Sequence, residues 1–265
     1  MLYFVATPIG NLKDITLRAL EVLKSVDIIA CEDTRNSLKL LNYYEIKKKL
    51  ITYHKFNEKT SAEGIIKLLK SGKNIAVISD AGMPVISDPG QILVSVLQSE
   101  NLSYTVVPGA SASLSALLLS GFESGNFTFI GFLEKENKKQ IEKLESIKNY
   151  TTTLLFYASP YDINQNLKNM LKVFGNRRIS VVSEITKIHE RVYNTTLEDC
   201  VLEEPKGEYV VVVEGCEKTE NNLNNLSIKE HYEFYIQQGY DKKEAMKLVS
   251  KDRNIPKNEV YKSLL

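Results

Sequence analysis

Short apolar runs alternate along the first 110 residues with stretches whose apolar positions recur at helical spacing. Leu2–Thr7, Val26–Cys31, Leu50–Tyr53, Ile75–Ser79 and Tyr104–Val107 read as five strands. Between them, Ile15, Ala19, Val22 and Leu23 share one helix face, as do Leu38, Leu41 and Tyr44, then Ile65, Leu68 and Leu69. A further helical pattern resumes at Gln91–Leu97. Strict strand–helix alternation predicts a largely parallel, wound sheet.

From residue 113 the pattern changes. Pro108-Gly109-Ala110-Ser111-Ala112 leads into a small-residue helix, Ser113–Leu119, and then Gly121 and Gly125, where a domain boundary is expected. Beyond it come strands at Phe127–Leu133, Thr151–Tyr157 and Ile179–Ser183, with a Lys/Glu-rich helix over Lys138–Lys148 expected to face solvent. Glu190–Leu197 and Glu208–Val213 have no clear helix between them and are expected to pair antiparallel. Glu217–Asn225 has a linker's polar, Asn-rich composition. Three helices follow, His231–Gln238, Lys242–Lys251 and Pro256–Leu264, with Pro256 at a helix start. The expected organisation is an α/β domain over 1–112, a second over 113–218 and a helical tail over 227–265 with helix-turn-helix spacing.

The strands empty into loops of unusual composition: Thr7-Pro8, Glu32-Asp33, His54, Asp80 and Pro108-Gly109. Loops at one end of parallel strands converge, and ligands of open α/β sheets bind at the strands' carboxyl ends. The richest is Asp80-Ala81-Gly82-Met83-Pro84-Val85-Ile86-Ser87-Asp88-Pro89-Gly90. Its prolines stiffen it, and its glycines permit close backbone approach. A plainer account makes it a connection in which Asp88 caps the next helix.

Composition narrows the class. Hydrophobic residues at 43% and charged residues at 25% describe a soluble globular chain. A net charge of +1 excludes a global positive field, so any nucleic-acid affinity would come from local patches. In the tail, eight basic residues face six acidic ones, a weak footprint that a merely stabilising appendage would also show. Three cysteines without metal-ligand spacing, a first segment lacking a basic secretion signal, and the absence of a membrane-length apolar run together predict a cytoplasmic protein. The three histidines are widely separated, and no metal site is expected. GxGxxG, the P-loop, GxSxG and HExxH are all missing.

The motifs taken together resemble the tetrapyrrole (corrin/porphyrin) methylase superfamily. The resemblance is carried by the run from Thr7 to Leu20, Glu32-Asp33-Thr34-Arg35, the run from Tyr53 to Glu58, and the run from Ser79 to Gly90. It continues through Pro108–Ala112, Gly131-Phe132-Leu133, Phe156–Pro160, Glu184-Ile185-Thr186-Lys187 and Lys206-Gly207-Glu208. It implies two α/β domains with S-adenosylmethionine in the cleft between them, and a homodimer. Within the superfamily the pattern is most similar to members that methylate a cytidine ribose 2′-hydroxyl in the 16S rRNA of the 30S ribosomal subunit. Carried over by position, the cofactor pocket would comprise Pro8, Asp80, Met83, Ser111, Ala112, Tyr157 and Ile185.

Three places depart from the family pattern. Met83 stands where threonine is usual, and Ala110 where proline is usual. Ala158-Ser159-Pro160-Tyr161-Asp162 replaces a Glu, Ser-Pro, His-Arg pattern, so no substrate role is assigned to Ala158, Tyr161 or Asp162. For methyl transfer to a ribose hydroxyl, a weak nucleophile must lose its proton or be polarised. Candidates near the expected cleft are Asp33 and Arg35, His54 and Asn57, and Glu184 with Lys187. Lys187 would polarise the hydroxyl or hold a phosphate, Glu184 or Asp33 would accept the proton, and Arg35 would clamp a phosphate. Each pair has a structural alternative: Asp33–Arg35 is spaced for a local cap or ion pair, and Glu184–Lys187 for a surface i, i+3 pair. The competing functional expectations are a methylase of the same fold with a tetrapyrrole or protein acceptor, and a non-catalytic RNA-binding assembly factor.

Overall fold

The computed structural model describes residues 1–54, 57–217, 223 and 226–264, in two compact units, Met1–Cys216 and Glu217–Leu265. The polar Glu217–Asn225 stretch and the Lys55-Phe56 pair lie largely or wholly outside the described residues.

The first half forms β1 (Leu2–Val5), α1 (Leu17–Ser25), β2 (Ile28–Cys31), α2 (Thr34–Tyr43), β3 (Lys49–Thr52), α3 (Glu58–Lys70), β4 (Ile75–Ile78), α4 (Gln91–Ser99) and β5 (Tyr104–Val107). All five strands run parallel in the order β3-β2-β4-β1-β5. The strand period of two sorts their side chains between two cores. Leu2, Phe4, Ile28, Ala30, Ile75 and Val77 meet α3 and α4 through Ala62, Ile65, Leu93 and Leu97. Val5, Ile29, Cys31, Ala76 and Ile78 meet α1 and α2 through Ala19, Leu23 and Leu41. In α2 the buried residues are Ser37, Leu40 and Leu41, while Leu38 is exposed. The inward face is therefore rotated from the expected one. Tyr44, at the C-cap, turns inward and its hydroxyl donates to the Leu12 carbonyl at 2.6 Å.

The second half forms α5 (Ala112–Ser120), β6 (Phe127–Phe132), α6 (Asn137–Ile147), β7 (Thr153–Ala158), α7 (Ile163–Phe174), β8 (Arg178–Ser183), β9 (Arg191–Thr196) and β10 (Tyr209–Val213). The sheet order is β6-β7-β10-β8-β9. β9 and β10 are thus not partners of each other: each pairs antiparallel with β8, and β10 also pairs antiparallel with β7. The reason is burial: β10 (Tyr-Val-Val-Val-Val) is buried at every position and takes the sheet centre, whereas β9 is mostly exposed and takes the edge. α7 went unread in the sequence, although Ile163, Leu167 and Met170 at i, i+4 and i+7 are buried on one face. α6 packs against α7 through Leu144 and Ile147, so only its outer side is solvated. The other face of this sheet is covered by α5, through Ala116 and Leu117 against Leu155, Val182, Val210 and Val212.

The tail unit holds α8 (Ile228–Gln237), α9 (Lys242–Asp252) and α10 (Lys257–Leu264). Ser227 and Glu230 form a reciprocal capping box on α8, and Asp241 caps α9. Buried His231 sits between Asp252 and Arg253, and Arg253 also donates to the carbonyls of Leu223 and Leu226.

Asp88 does not cap α4: Gly90 occupies the N-cap position with no side-chain bond of its own. Glu58, from the start of α3, caps that helix instead. Its Oε1 accepts from the Gly90 N–H (2.8 Å), the Ile92 N–H (3.2 Å) and the Tyr53 hydroxyl (3.2 Å). A carboxylate at a helix N-terminus satisfies orphan donors and complements the helix dipole. Replacing Glu58 with alanine should destabilise the chain by about 1–2 kcal/mol, the usual cost of losing a helix cap. Urea unfolding of Glu58→Ala beside the wild type measures this, and unchanged midpoints would rule out the cap as described.

Candidate active site

The carboxyl ends of β1, β4 and β5 converge through backbone. Thr7 and Gly82 exchange two hydrogen bonds, Thr7 N–H to Gly82 O (2.9 Å) and Gly82 N–H to Thr7 O (3.1 Å), and the Thr7 hydroxyl donates to Ser79 O (3.2 Å). Gly82 takes φ +78, and a Cβ there would lie 3.2 Å from the Ile9 side chain and 3.6 Å from the Ala110 carbonyl. Glycine is what lets three loops meet at this point. Buried Pro8 and half-buried Met83 flank the junction. Val85 and Ser87 also hold positive φ, 76° and 67°, so the loop is set by its surroundings rather than by local preference.

Asp80 stands exposed at the loop's mouth. Its Oδ1 accepts from the Asp33 N–H (3.3 Å) and its Oδ2 from the Asn36 side-chain amide (3.0 Å), tying the loop to the start of α2. Asp33 is the N-cap of that helix, and its carboxylate accepts from the Arg35 N–H (2.8 Å), Nε (3.2 Å) and Nη2 (2.9 Å). The Arg35 side-chain bond, then its backbone bond, hold the Asp33 carboxyl below the ordinary range, while the Arg35 side chain itself is 86% exposed. His54 and Asn57 close a turn ahead of α3, with the His54 N–H donating to Asn57 Oδ1 (2.9 Å) and the Asn57 N–H to His54 O (3.0 Å). These two pairs therefore sit at helix starts along the first sheet.

Glu184 and Lys187 lie at the end of β8. Glu184 Oε1 accepts from Lys187 Nζ (3.0 Å) and the Glu208 N–H (3.2 Å), and Lys187 Nζ also reaches Glu208 Oε2 (3.3 Å). Desolvation works against charge on both residues, but for Glu184 the bonds from Lys187 and the Glu208 amide outweigh it and lower its pKa. For Lys187 the two carboxylates outweigh desolvation and raise its pKa. Both groups are firmly ionised at neutral pH. The Lys187 stem lies on Gly10: a Cβ there would fall 2.6 Å from Lys187 Cγ and 3.1 Å from the Ile185 carbonyl. The Thr186 hydroxyl bonds to Asp14, and Ser87 Oγ packs on Gly131 of the β6 bulge. The loops of the two sheets thus meet edge to edge.

Of the residues expected around a cofactor, Ala112, Tyr157 and Ile185 share one partly buried margin of the second sheet with Phe129. Tyr157 packs edge-on to Phe129 (5.0 Å) and Phe132 (5.4 Å). Ser111 is the N-cap of α5 but its hydroxyl pairs with Ser113 Oγ (3.2 Å) rather than with a helix amide. The divergent loop is a helix start: the Ser159 hydroxyl donates to Asp162 Oδ2 (2.6 Å), and Tyr161 is 93% exposed. Sequence reading missed Glu208, although it stands in the Lys206-Gly207-Glu208 motif, and missed Glu32 and Asp88. Those two acids lie near Asp80, and among the described residues no group of three or more acidic, His or Cys side chains is arranged to hold a metal.

These features are those of a tetrapyrrole methylase: the sequence model of the tetrapyrrole (corrin/porphyrin) methylases matches residues 1–201, and the chain belongs to that family. It is 44% identical to a protein of Halalkalibacterium halodurans named ribosomal RNA small subunit methyltransferase I, over 98% of this chain and 93% of that one. A Bacillus subtilis protein of the same name is 43% identical, over 98% and 92%. Among solved structures, diphthine synthase matches with a TM-score of 0.64 at 16% identity, covering 81% of this chain and 89% of that one. A cobalt precorrin-4 methyltransferase matches at 0.61 and 17%, covering 80% and 94%; at such identities these two show the fold alone. The chain is a methyltransferase, and S-adenosylmethionine is its cofactor. The residues present suit that molecule: an exposed carboxylate for amino or ribose donors, aromatic and aliphatic side chains for a base, and the small Ser111 and Ala112 for backbone approach at a helix start.

Asp88 gives a test of this loop's electrostatics. Burial first, then the Glu32 charge and Asp80, against a Ser79 hydrogen bond, push its pKa up to about 6 from 3.8. The folded chain therefore keeps a proton that the unfolded chain releases, and stability falls as pH rises through that window. Relative to Asp88→Asn, the wild type should lose stability from pH 4 to 6 and change no further above pH 7, as measured by urea unfolding across pH.

Proposed function

We propose that the chain transfers a methyl group from S-adenosylmethionine to the 2′-hydroxyl of a cytidine in 16S rRNA of the small ribosomal subunit. The observation that carries this reading is the Glu184–Lys187–Glu208 cluster, held against Gly10 where the two sheets' loops meet. The small-subunit rRNA named for the relatives supports the choice of acceptor. In this reading Pro8, Asp80, Met83, Ser111, Ala112, Tyr157 and Ile185 hold the cofactor, and the domains divide at 1–112, 113–218 and 227–265.

Bound S-adenosylmethionine supplies an electrophilic methyl whose transfer leaves a neutral thioether. The residues handle the other half. Two carboxylates keep Lys187 charged and fix its ammonium, which polarises the attacking hydroxyl and steadies negative charge building on its oxygen. Glu184 Oε1 takes the bonds from Lys187 and the Glu208 amide, leaving Oε2 to accept the hydroxyl proton. Asp33, Arg35, His54 and Asn57 act one step back: Asp33 and Asn57 set the loop ends that hold Asp80 and His54, and exposed Arg35 is the clamp for an rRNA phosphate.

The assembly is read as a cytoplasmic homodimer. No helix among the described residues is long and apolar enough to cross a membrane. Leu114 (52%) and Leu118 (80% exposed), four residues apart on α5, give an apolar face that a second copy would cover.

Tritiated methyl transfer to 30S subunits, with naked 16S rRNA and a tetrapyrrole precursor alongside, tests the acceptor. Label in a ribose supports it; label in the tetrapyrrole and none in RNA overturns it. Lys187→Ala should lower turnover about 100-fold or more, the scale of a lost polarising or proton-transfer group, with cofactor binding unchanged by calorimetry. Near-full turnover in both Lys187→Ala and Glu184→Gln would remove this cluster from the chemistry.

A further inference from the structure

The tail unit carries an arrangement of charge that its own fold does not use. On α9, Ala245 and Val249 point inward, while Lys243, Lys247 and Lys251 recur every fourth residue on the opposite, exposed side. Each is a neighbour of another lysine at i, i+4, and like charges at that spacing weaken a helix. Elsewhere the chain arranges lysines differently. On α6 and at its end, Lys138 faces Glu142, Lys139 bonds Glu136 and Lys148 bonds Glu145. Among the described residues, the ion pairs do not involve the three α9 lysines.

Glu244 is exposed at the start of α9, whereas Asp252 and Arg253 at its end are engaged within the tail. Asp252 bonds His231 and Tyr235, and Arg253 bonds His231 and the Leu223 and Leu226 carbonyls. Lys257 and Lys262 on α10 are also exposed, and residues 241–264 hold seven basic and four acidic residues in a chain of net charge +1.

We propose that the outer face of α9, Lys243, Lys247 and Lys251, is a docking surface for the phosphate backbone of ribosomal RNA. This inference rests on the rRNA acceptor proposed above, and adds an RNA-binding surface carried by the tail unit. The chemistry favours phosphates over other anions. A helix lying on a membrane needs an exposed apolar face, and the apolar face of α9 is buried within the tail. Protein interfaces are poor in lysine and rich in aromatic and Arg anchors, which this face lacks. Lysines spaced about 6 Å apart along a helix act as point charges on a backbone, giving affinity and register without base readout. A helix-turn-helix reader would place its second helix in a groove, whereas the unpaired stripe here is on the first helix of the pair. The predicted binding is therefore sequence-independent.

The test uses the full chain with Lys243→Ala, Lys247→Ala and Lys251→Ala combined, and Lys138→Ala, Lys139→Ala and Lys143→Ala as a control of equal charge. Thermal melting and cofactor binding should match the wild type in both. Filter binding to 16S rRNA and to 30S subunits across a salt series should show the α9 variant about ten- to a hundredfold weaker. Its slope of log K against log salt should be smaller by about 2–3, near 0.7–0.9 for each phosphate no longer neutralised. KM for 30S should rise with kcat unchanged, and the α6 control should behave as wild type. Wild-type affinity and slope in the α9 variant, with rRNA methylation intact, would overturn the docking surface and leave the acceptor reading standing. Weakened binding to 30S with unchanged binding to naked rRNA would assign the face to a ribosomal protein and overturn it as well. Absence of RNA binding and labelling in the wild type would remove the acceptor reading and this proposal together.

Discussion

Two backbone hydrogen bonds between Thr7 and Gly82 are the constraint on which the site is built. Parallel strands bring their carboxyl ends to one edge of a sheet, but that alone leaves the loops apart. The Thr7–Gly82 bridge closes the gap between β1 and β4 with Gly82 at φ +78, where a Cβ would crowd the Ile9 side chain. Once it forms, Asp80 stands at the mouth, Ala110 comes alongside, and Ser87 reaches the second sheet at Gly131. Glu58 then fixes the far end of the same loop through the α4 amides. The loop is pinned at both ends by bonds that involve no ligand, so its shape precedes binding, which lowers the ordering cost that binding would otherwise carry.

Lys187 plays a corresponding part between the sheets. Its stem lies on Gly10 from the first half, and its ammonium is held by Glu184 and Glu208 from the second. Partial burial alone would push a lysine towards neutrality. Here two carboxylates reverse that, so Lys187 is a fixed cation rather than a base. Glu184 in turn is kept anionic by the lysine it holds. The pair is read best as one unit in which the positive charge is aimed and the negative charge aims it.

Strand-and-helix alternation made the first sheet readable down to β5, whose limits in the sequence pattern match the structure. The second sheet was less legible, because pairing order depends on how much of each strand is buried on both faces, and adjacency in sequence does not report that. Hence β9 and β10 were expected to pair, although the all-apolar β10 goes to the centre. α7 went unread because polar Asn and Lys residues separate its apolar positions, and Leu38 was turned outward by a rotation of one residue in the helix face. At the candidate site, the motifs pointed to loops, but partner choice was invisible. Glu208 comes next to Lys187 only because β10 lies beside β8, and Glu58 caps α4 from 32 positions away. Asp33–Arg35 shows the converse: the local spacing forms a helix cap and an ion pair, which leaves the Arg35 side chain exposed.

A division of labour between the two sheets follows from these placements. The first sheet contributes loops locked by backbone bonds and a carboxylate at Asp80, features suited to a constant cofactor. The second contributes side chains at the ends of β7, β8 and β10, where the Lys187 cluster and the Tyr157 aromatic group lie. Fold does not dictate acceptor, since sites are grafted onto folds by a few side chains. In this chain the Ser159–Asp162 bond commits the loop after β7 to starting α7, and Tyr161 points into solvent. With that loop engaged as a helix start, the acceptor reading proposed above rests on the Lys187 cluster and on surfaces beyond it. The large, repetitively charged acceptor proposed above is one that many weak contacts along such surfaces would hold together.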